Sequence, residues 1–472
     1  MRSLLHLSLA LLLAACGGET PTDGDASTDG GGRDGSAPIV DAHVEPVDGA
    51  PGDLDAGELD AGDLDAEARD AGDLDAGAVD AGPPPRCVGA PDCTGVTASP
   101  TEHRMESLDG CSFVLDAPGA PDPRVDALVA RAGGARTISD VLGALNRTGR
   151  AGISTRNADR MSSHAWVGFR WNDGDETVDY WYPQGITGSS DANAAGRVDG
   201  RRVVLVSWYH NTDARPTKGT RLSLVDFTDP TSIQYRHLLL VTPSGTAADP
   251  SFVSTETGSG AALHAGGIVW FGDRLYVADT TQGFRVFDLS RIFEPTNTDD
   301  TERIGFSGAR SDAHGYRYAV PQIARYQLAS DSCPIRFSFV GLDRSESPPV
   351  LVSGEYHSGD ADGRVARWAL DPATGWLAAS GGRVYAVDAA LAAQTRMQGG
   401  VTYEGVYYLS SSSQTASSWG RLYRTRPGLD SAITAWPYGC EDLYVERAER
   451  LIWTTAEHPG TRDTLGIPLQ GR

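Results

Sequence analysis

Much of what would tie this chain to a known chemistry is missing from it. There is no long basic run and no zinc-finger, helix-turn-helix or RNA-binding motif, which argues against nucleic acid as a partner. No HExxH places two imidazoles one helical turn apart for a metal, and no GxSxG presents a serine on a strained elbow. The six cysteines include no CxxC, so a thiolate metal centre is not expected. Beyond the first residues no apolar run approaches the roughly 20 residues that a membrane-spanning helix needs. The sequence therefore names no cofactor and no metal, and it does not decide whether the chain is an enzyme.

What is present begins with an address. One early charge, Arg2, precedes an apolar run from Leu4 to Leu13, and the run ends in Leu13-Ala14-Ala15-Cys16. A charged start, a short apolar core and small residues before the cut describe a signal peptide over residues 1–15. The closing tetrad resembles the lipobox of bacterial lipoproteins. That resemblance implies lipids on the Cys16 thiol, cleavage before it and a lipid bilayer as partner. Gly17 follows the cysteine where an inner-membrane retention signal would carry aspartate, which points to the outer membrane.

Residues 16–86 form the next unit. From Gly17 to Pro85 the chain is mostly Asp, Gly and Ala, and from Asp53 it runs in five-residue units such as Asp53-Leu-Asp-Ala-Gly57 and Glu58-Leu-Asp-Ala-Gly62. From Gly17 to Pro85, 19 acidic and two basic residues carry −17 of the chain's −23. Such a segment cannot bury enough apolar surface to offset its ordering entropy, and its charges repel. A disordered, extended tether is the expectation. Evenly spaced aspartates alone lack the converging oxygens and fixed turn of a calcium loop. With tether and Arg2 set aside, the rest carries only −7.

Five further cysteines follow export into a compartment that permits disulfides. Cys87 and Cys93 are spaced for a small loop, Cys111 competes for either, and Cys333 with Cys440 would staple distant parts. An odd number leaves one thiol over.

Residues 87–160 read as an extension with short helices. Pro121-Asp122-Pro123 opens one, with Val125, Leu128 and Val129 at helical spacing before Gly133-Gly134. A second starts at Ser139, with Val141, Leu142 and Leu145 on one side. From about residue 161 to 472 the texture is all-β: short alternating runs cut by Gly, Asp, Asn and Pro. A recurrent unit begins at a glycine-centred start: Tyr182-Pro-Gln-Gly-Ile186, Leu263-His-Ala-Gly-Gly-Ile268, Met397-Gln-Gly-Gly-Val401 and Gly439-Cys-Glu-Asp-Leu443. Alternating strands follow each, as in Arg202-Val-Val-Leu-Val-Ser-Trp208 and Arg274-Leu-Tyr-Val-Ala-Asp279. Strands repeated in this order at tens of residues fit the blades of a β-propeller. Five blades can be placed, at 182–245, 264–330, 333–375, 397–428 and 439–470. Strands within His164 to Trp171 either complete the last blade or supply a sixth. A polar stretch between Asp288 and Ala319 interrupts the second unit where a strand is due, and a β-sandwich pair is the alternative fold.

The run Leu275-Tyr-Val-Ala-Asp-Thr-Thr-Gln-Gly-Phe-Arg-Val-Phe-Asp-Leu289 resembles short propeller repeats of secreted bacterial surface proteins, and Arg221 to Pro230 resembles the same element. His264 to Gly272 is similar to segments of uncharacterised secreted proteins of actinobacteria and related groups. These resemblances imply the fold and carry no catalytic assignment.

In a propeller the first strand of each blade lines the axis. Tyr182, Gln184, His264, Gln398, Glu441 and Asp442 are therefore the expected binding residues, with Gly185, Gly266, Gly267, Gly399 and Gly400 read as close packing at a narrow centre. Trp181, Tyr209 and His210 flank turns and are expected at the mouth. An acid–base or metal site would draw on His264, Glu404 and Glu441, with His210 or His458. Glu457-His458 itself reads as an exposed turn before Pro459-Gly460. Ser410 to Ser413, Ser417 and Ser418 read as a polar loop. The expected function is a tethered binding or scaffold module for an envelope glycan or protein. An envelope hydrolase or lyase at the channel mouth is the alternative.

Overall fold

The computed structural model describes Cys87, residues 92–93, 103–211, 217–359, 361–412 and 418–471. The signal peptide, Cys16, the tether and Ser413 and Ser417 lie outside the described residues.

The described chain is mostly strand. Four antiparallel strands pair in chain order: Trp181–Gly188, Val203–His210, Thr220–Asp226 and Gln234–Gly245. The same meander recurs in Ile268–Phe271, Arg274–Asp279, Gly283–Asp288 and Ala319–Leu328. It recurs again from Phe339–Asp343 to Asp388–Leu391 and from Met397–Tyr403 to Ala432–Trp436. A last meander, Cys440–Glu446, Leu451–Ala456 and Asp463–Pro468, takes its fourth strand from far upstream, Val167–Arg170. A short parallel pairing of Ala319–Leu328 with Gln234–Gly245 joins the first two meanders into an eight-strand path. The ends of that path, Trp181–Gly188 and Ile268–Phe271, touch each other, so the path nearly closes. The arrangement resembles propeller folds.

Strand alternation explains why these sequences fold this way. Neighbouring residues of one strand point to opposite faces, and here both faces are covered. Val203 and Leu205 join Leu222, Leu224, Leu238 and Leu240 in one core layer. Val204, Val206 and Trp208 join Val225 and Tyr235 in another, with Phe169, Trp171 and Trp453. Strands buried on two sides read as continuous apolar runs. Each such side chain contributes roughly 1.5–3 kcal/mol on leaving water.

At the centre the first strands of successive meanders meet almost backbone to backbone. A Cβ on Gly267 would lie 2.0 Å from the Val340 nitrogen, one on Gly341 2.4 Å from the Gly400 oxygen, and one on Gly399 2.6 Å from the Asp442 Cα. Gly185 is set in the same way against the Ile268 nitrogen, at 2.8 Å.

Upstream, helix Arg124–Arg131 buries Val125, Leu128 and Val129, and Gly133 and Gly134 follow it with positive φ. Helix Ile138–Leu142 starts at a capping box between Thr137 and Asp140. Two disulfides tie the amino-terminal part down, Cys87–Cys111 and Cys93–Cys333. The small Cys87–Cys93 loop and the Cys333–Cys440 staple do not form. Cys440 is instead a buried free thiol, its pKa pushed up to about 12 by burial.

Candidate functional site

The first strands of the meanders run the same way, so their starting residues gather at one end of the axis. There the side chains expected to bind a ligand are largely engaged with one another. Gln184, fully buried, donates from Nε2 to Glu457 Oε2 at 3.0 Å. Gln398 donates to Glu441 Oε1 at 3.1 Å. Asp442 Oδ2 accepts from the backbone N–H groups of Ile186, at 3.1 Å, and Ile268, at 3.2 Å, and so stitches three strands together. Burial pushes the Asp442 pKa well up. Tyr182 lies under the Arg462 guanidinium, 5.1 Å from its ring centroid, and beside Tyr209. His264 packs on Tyr209 with centroids 4.4 Å apart, and burial lowers its pKa to about 4, so its imidazole is neutral near pH 7.

The acid–base set is not assembled. Glu404 occupies the exposed turn between Met397–Tyr403 and Val406–Ser411, with φ +51°. A strand rises about 3.3 Å per residue, which places Glu404 about 20 Å along from Gln398, at the far end from His264 and Glu441. His210 bonds Thr217 through Nδ1 at 3.1 Å and packs against the rings of Tyr180 and Trp181. Among the described residues no group of three or more His, Cys, Asp or Glu could hold a metal ion. Glu457 is not in an exposed turn: it is buried, its pKa raised to about 7 by desolvation, and His458 stacks on Tyr438. Ser410 and Ser411 end a buried strand and are not loop residues.

A second site lies off the axis, where the second meander departs from its repeat. Between its third and fourth strands the chain makes an excursion over residues 289–318, with a hairpin of Ile304–Ser307 and Arg310–Ala313. His314 and Gly315 follow with φ +49° and +79°, a left-handed turn that favours glycine at the second position. His314 is held by Ser254, at 3.0 Å from its Nε2, and by the Thr301 carbonyl, at 3.2 Å from its Nδ1. The excursion thereby sets Thr298, Thr301, Tyr316 and Arg317 opposite Tyr180, Trp181 and Arg236, around a cavity of about 350 Å³.

The electrostatics of this pocket are one-sided. Among the described residues Arg147, Lys218, Arg236 and Arg317 line it, and no Asp or Glu does. Lys218 is the only lysine in the chain. Three of these cations pair with carboxylates that are not part of the lining: Arg147 with Asp175 at 3.2 Å, Lys218 with the exposed Glu302 at 2.9 Å, Arg317 with Glu294 at 2.8 Å. Arg236 donates to the Ala144 carbonyl and lies over Tyr318. Its pKa is lowered by burial and by Arg317 and Arg147 nearby.

Asp175 anchors this wall. It takes Tyr235 Oη at 2.6 Å, Arg221 at 3.0 Å and His237 Nε2 at 3.0 Å. Burial opposes its charge, but His237, Arg221 and Arg147 hold its carboxyl well below the usual range. His237 is itself kept neutral by burial and by Arg221, its pKa lowered to about 3. Trp181, expected at the axial mouth, lies against this pocket instead, buried, with the Arg221 guanidinium 4.5 Å from its ring.

Sequence reasoning missed this pocket because its residues come from five separate segments. The one available signal was the polar interruption after Asp288.

No family model matches the chain, and no curated protein does. Among solved structures, the chain is similar to one from a mitotic checkpoint complex, at 12% identity over 81% of this chain and 97% of that one, TM-score 0.29. It is also similar to a GH43_1 enzyme from Xanthomonas citri, at 8% identity over 66% and 92%, TM-score 0.28. A third is the β-propeller domain of a trilobed protease from Pyrococcus furiosus, at 10% identity over 59% and 65%, TM-score 0.19. Likenesses this slight assign no activity.

Proposed function

We propose that this chain is an extracytoplasmic binding module, anchored to a membrane through a lipidated Cys16, carried on an acidic tether, and built as a five-bladed propeller that binds a small anionic ligand in its off-axis pocket. The observation that carries the binding reading is the lining of that pocket: among the described residues four cations and no carboxylate, on a folded body that is itself mildly acidic. The carboxylates that pair with three of these cations orient them without being part of the lining, and a cleft lined by one sign of charge concentrates ions of the other. The five-blade count is supported by five four-stranded meanders, the last completed by Val167–Arg170. The anchor is supported by the register of the apolar run, the small residues and the cysteine.

The test is titration of the full-length, detergent-solubilised protein with inorganic phosphate and sulfate. Binding that weakens with salt and falls at least tenfold in Arg236→Ala is the expected result. No binding, or binding indifferent to Arg236, overturns the reading. Metabolic labelling with palmitate, lost in Cys16→Ser, tests the anchor.

An envelope hydrolase or lyase is the second reading, and one observation favours it: Glu457, a buried carboxyl raised to about 7 at the axial mouth beside Gln184. Turnover of a bound glycan that disappears in Glu457→Gln would move the assignment there.

A further inference from the structure

Resting on the binding reading, we infer that the ligand of the off-axis pocket is an acidic sugar: a pyranose ring bearing a carboxylate or phosphate. A bare inorganic anion would use only the cations. The remaining lining has a different chemistry. Tyr180 is the most exposed aromatic residue among the described residues, with 47% of its surface open. It meets His210 at an interplanar angle of 75°, and Tyr316 meets Trp181 at 77°, so neither tyrosine is stacked face to face on those neighbours. An open tyrosine face accepts the C–H face of a sugar ring. Asn146, Thr298 and Thr301 line the same cavity with amide and hydroxyl groups suited to ring hydroxyls. A cavity of about 350 Å³ holds a ligand of one to two sugar rings, which excludes a peptide or a long glycan lying wholly inside. Arg236, with its planar fork, is placed to take the acidic group, with Arg147 and Lys218 contributing charge.

The experiment uses full-length protein and six probes: inorganic phosphate, glucose, glucuronate, glucose 1-phosphate, phenyl phosphate and a uronate-capped oligosaccharide. Affinity is read by calorimetry. In parallel, protection of Lys218 from an amine acylating reagent is read on its own peptide, since the chain has no other lysine. Glucuronate or glucose 1-phosphate binding at least tenfold tighter than both phosphate and glucose, with Lys218 protected, is the expected result. Tyr180→Ala, at an exposed position where folding is not at risk, is expected to bring glucuronate and glucose 1-phosphate down to the affinity of phosphate measured on the same variant. Equal binding of all the anions overturns the acidic sugar while leaving the anion pocket standing. Phenyl phosphate matching the acidic sugars also overturns it, in favour of an aromatic anion. Failure of every probe to bind or to protect Lys218 overturns both. A uronate-capped oligosaccharide binding as tightly as the monosaccharide identifies a glycan end as the source; a tenfold loss identifies a free sugar.

Discussion

The axial mouth and the off-axis pocket both gather polar and charged side chains and use them differently. At the mouth the polar groups engage one another, Gln184 with Glu457, Gln398 with Glu441 and Asp442 with two backbone N–H groups, while Gln184 Oε1 and Asp442 Oδ1 are buried without a partner. In the pocket the carboxylates that pair with Arg147, Lys218 and Arg317 are not part of the lining, so the cations are held in place from outside it. The repeat makes the first region and its interruption makes the second. Strands that meet backbone to backbone at a common centre must solve a packing problem before any other, and glycine and internally paired polar groups are that solution. An excursion has no such duty, and residues on it are free to face a ligand.

The comparison breaks first at the centre. Gly267→Val would drive a branched side chain into the Val340 backbone, where even a Cβ has only 2.0 Å. Backbone cannot yield as a side-chain tip does, so the variant is expected not to fold, read as loss of secretion and of a cooperative melting transition. Asp175→Ala comes next. It leaves Arg221 and His237 buried without their shared carboxylate and should cost about 3–5 kcal/mol in urea titration. The pH dependence has a definite sign. The Asp175 carboxyl is depressed in the fold, so its stabilisation is complete above the unfolded value near 3.8 and is lost as pH falls toward the folded value. The variant should therefore show a weaker loss of stability on acidification below pH 4 than the parent. Equal acid limbs would show that Asp175 is not the group responsible.

How far the sequence could be read follows the same division. Alternation and glycine-centred starts located the repeated strands because period-two burial and close packing leave marks on local composition. They also placed Tyr182, Gln184, His264, Gln398, Glu441 and Asp442 at one end of the axis. They did not reveal that Gln184, Gln398, Glu441 and Asp442 are consumed there, because hydrogen-bond partners 43 or 273 residues apart leave no local mark. Residue type and inferred blade geometry group Glu404 with His264, and strand length separates them. The pocket was illegible for the opposite reason: Asn146, Tyr180, Lys218, Arg236 and Tyr316 share no spacing, and each looks like an ordinary strand end or loop residue. Cys93 and Cys333 pair across 240 residues, which no spacing rule reaches.

A smaller effect sharpens the account of the mouth. Glu457 is raised to about 7 by burial, so the fold favours its protonated form. Its contribution is fully present below the unfolded value near 4.5 and is lost as pH rises through about 7. Glu457→Gln keeps an oxygen for Gln184 and removes the titration, and should stabilise the protein above pH 7 by on the order of 2 kcal/mol while changing little at pH 4. A variant that is less stable at pH 8 would mean that the charged carboxylate is the form the fold wants.

The smallest effect is the cleanest test of the division between the regions. Glu404 lies in an exposed turn with φ +51°, and its backbone nitrogen, not its carboxylate, bonds the Ser345 hydroxyl at 2.7 Å. Glu404→Asn retains that backbone bond and suits a left-handed turn. It should leave stability within about 0.5 kcal/mol and leave anion affinity unchanged, measured in the same titrations as Arg236→Ala. A marked loss of binding from this change would put a ligand at the end of the axis opposite the mouth. The repeat itself, and not its interruption, would then be the source of function.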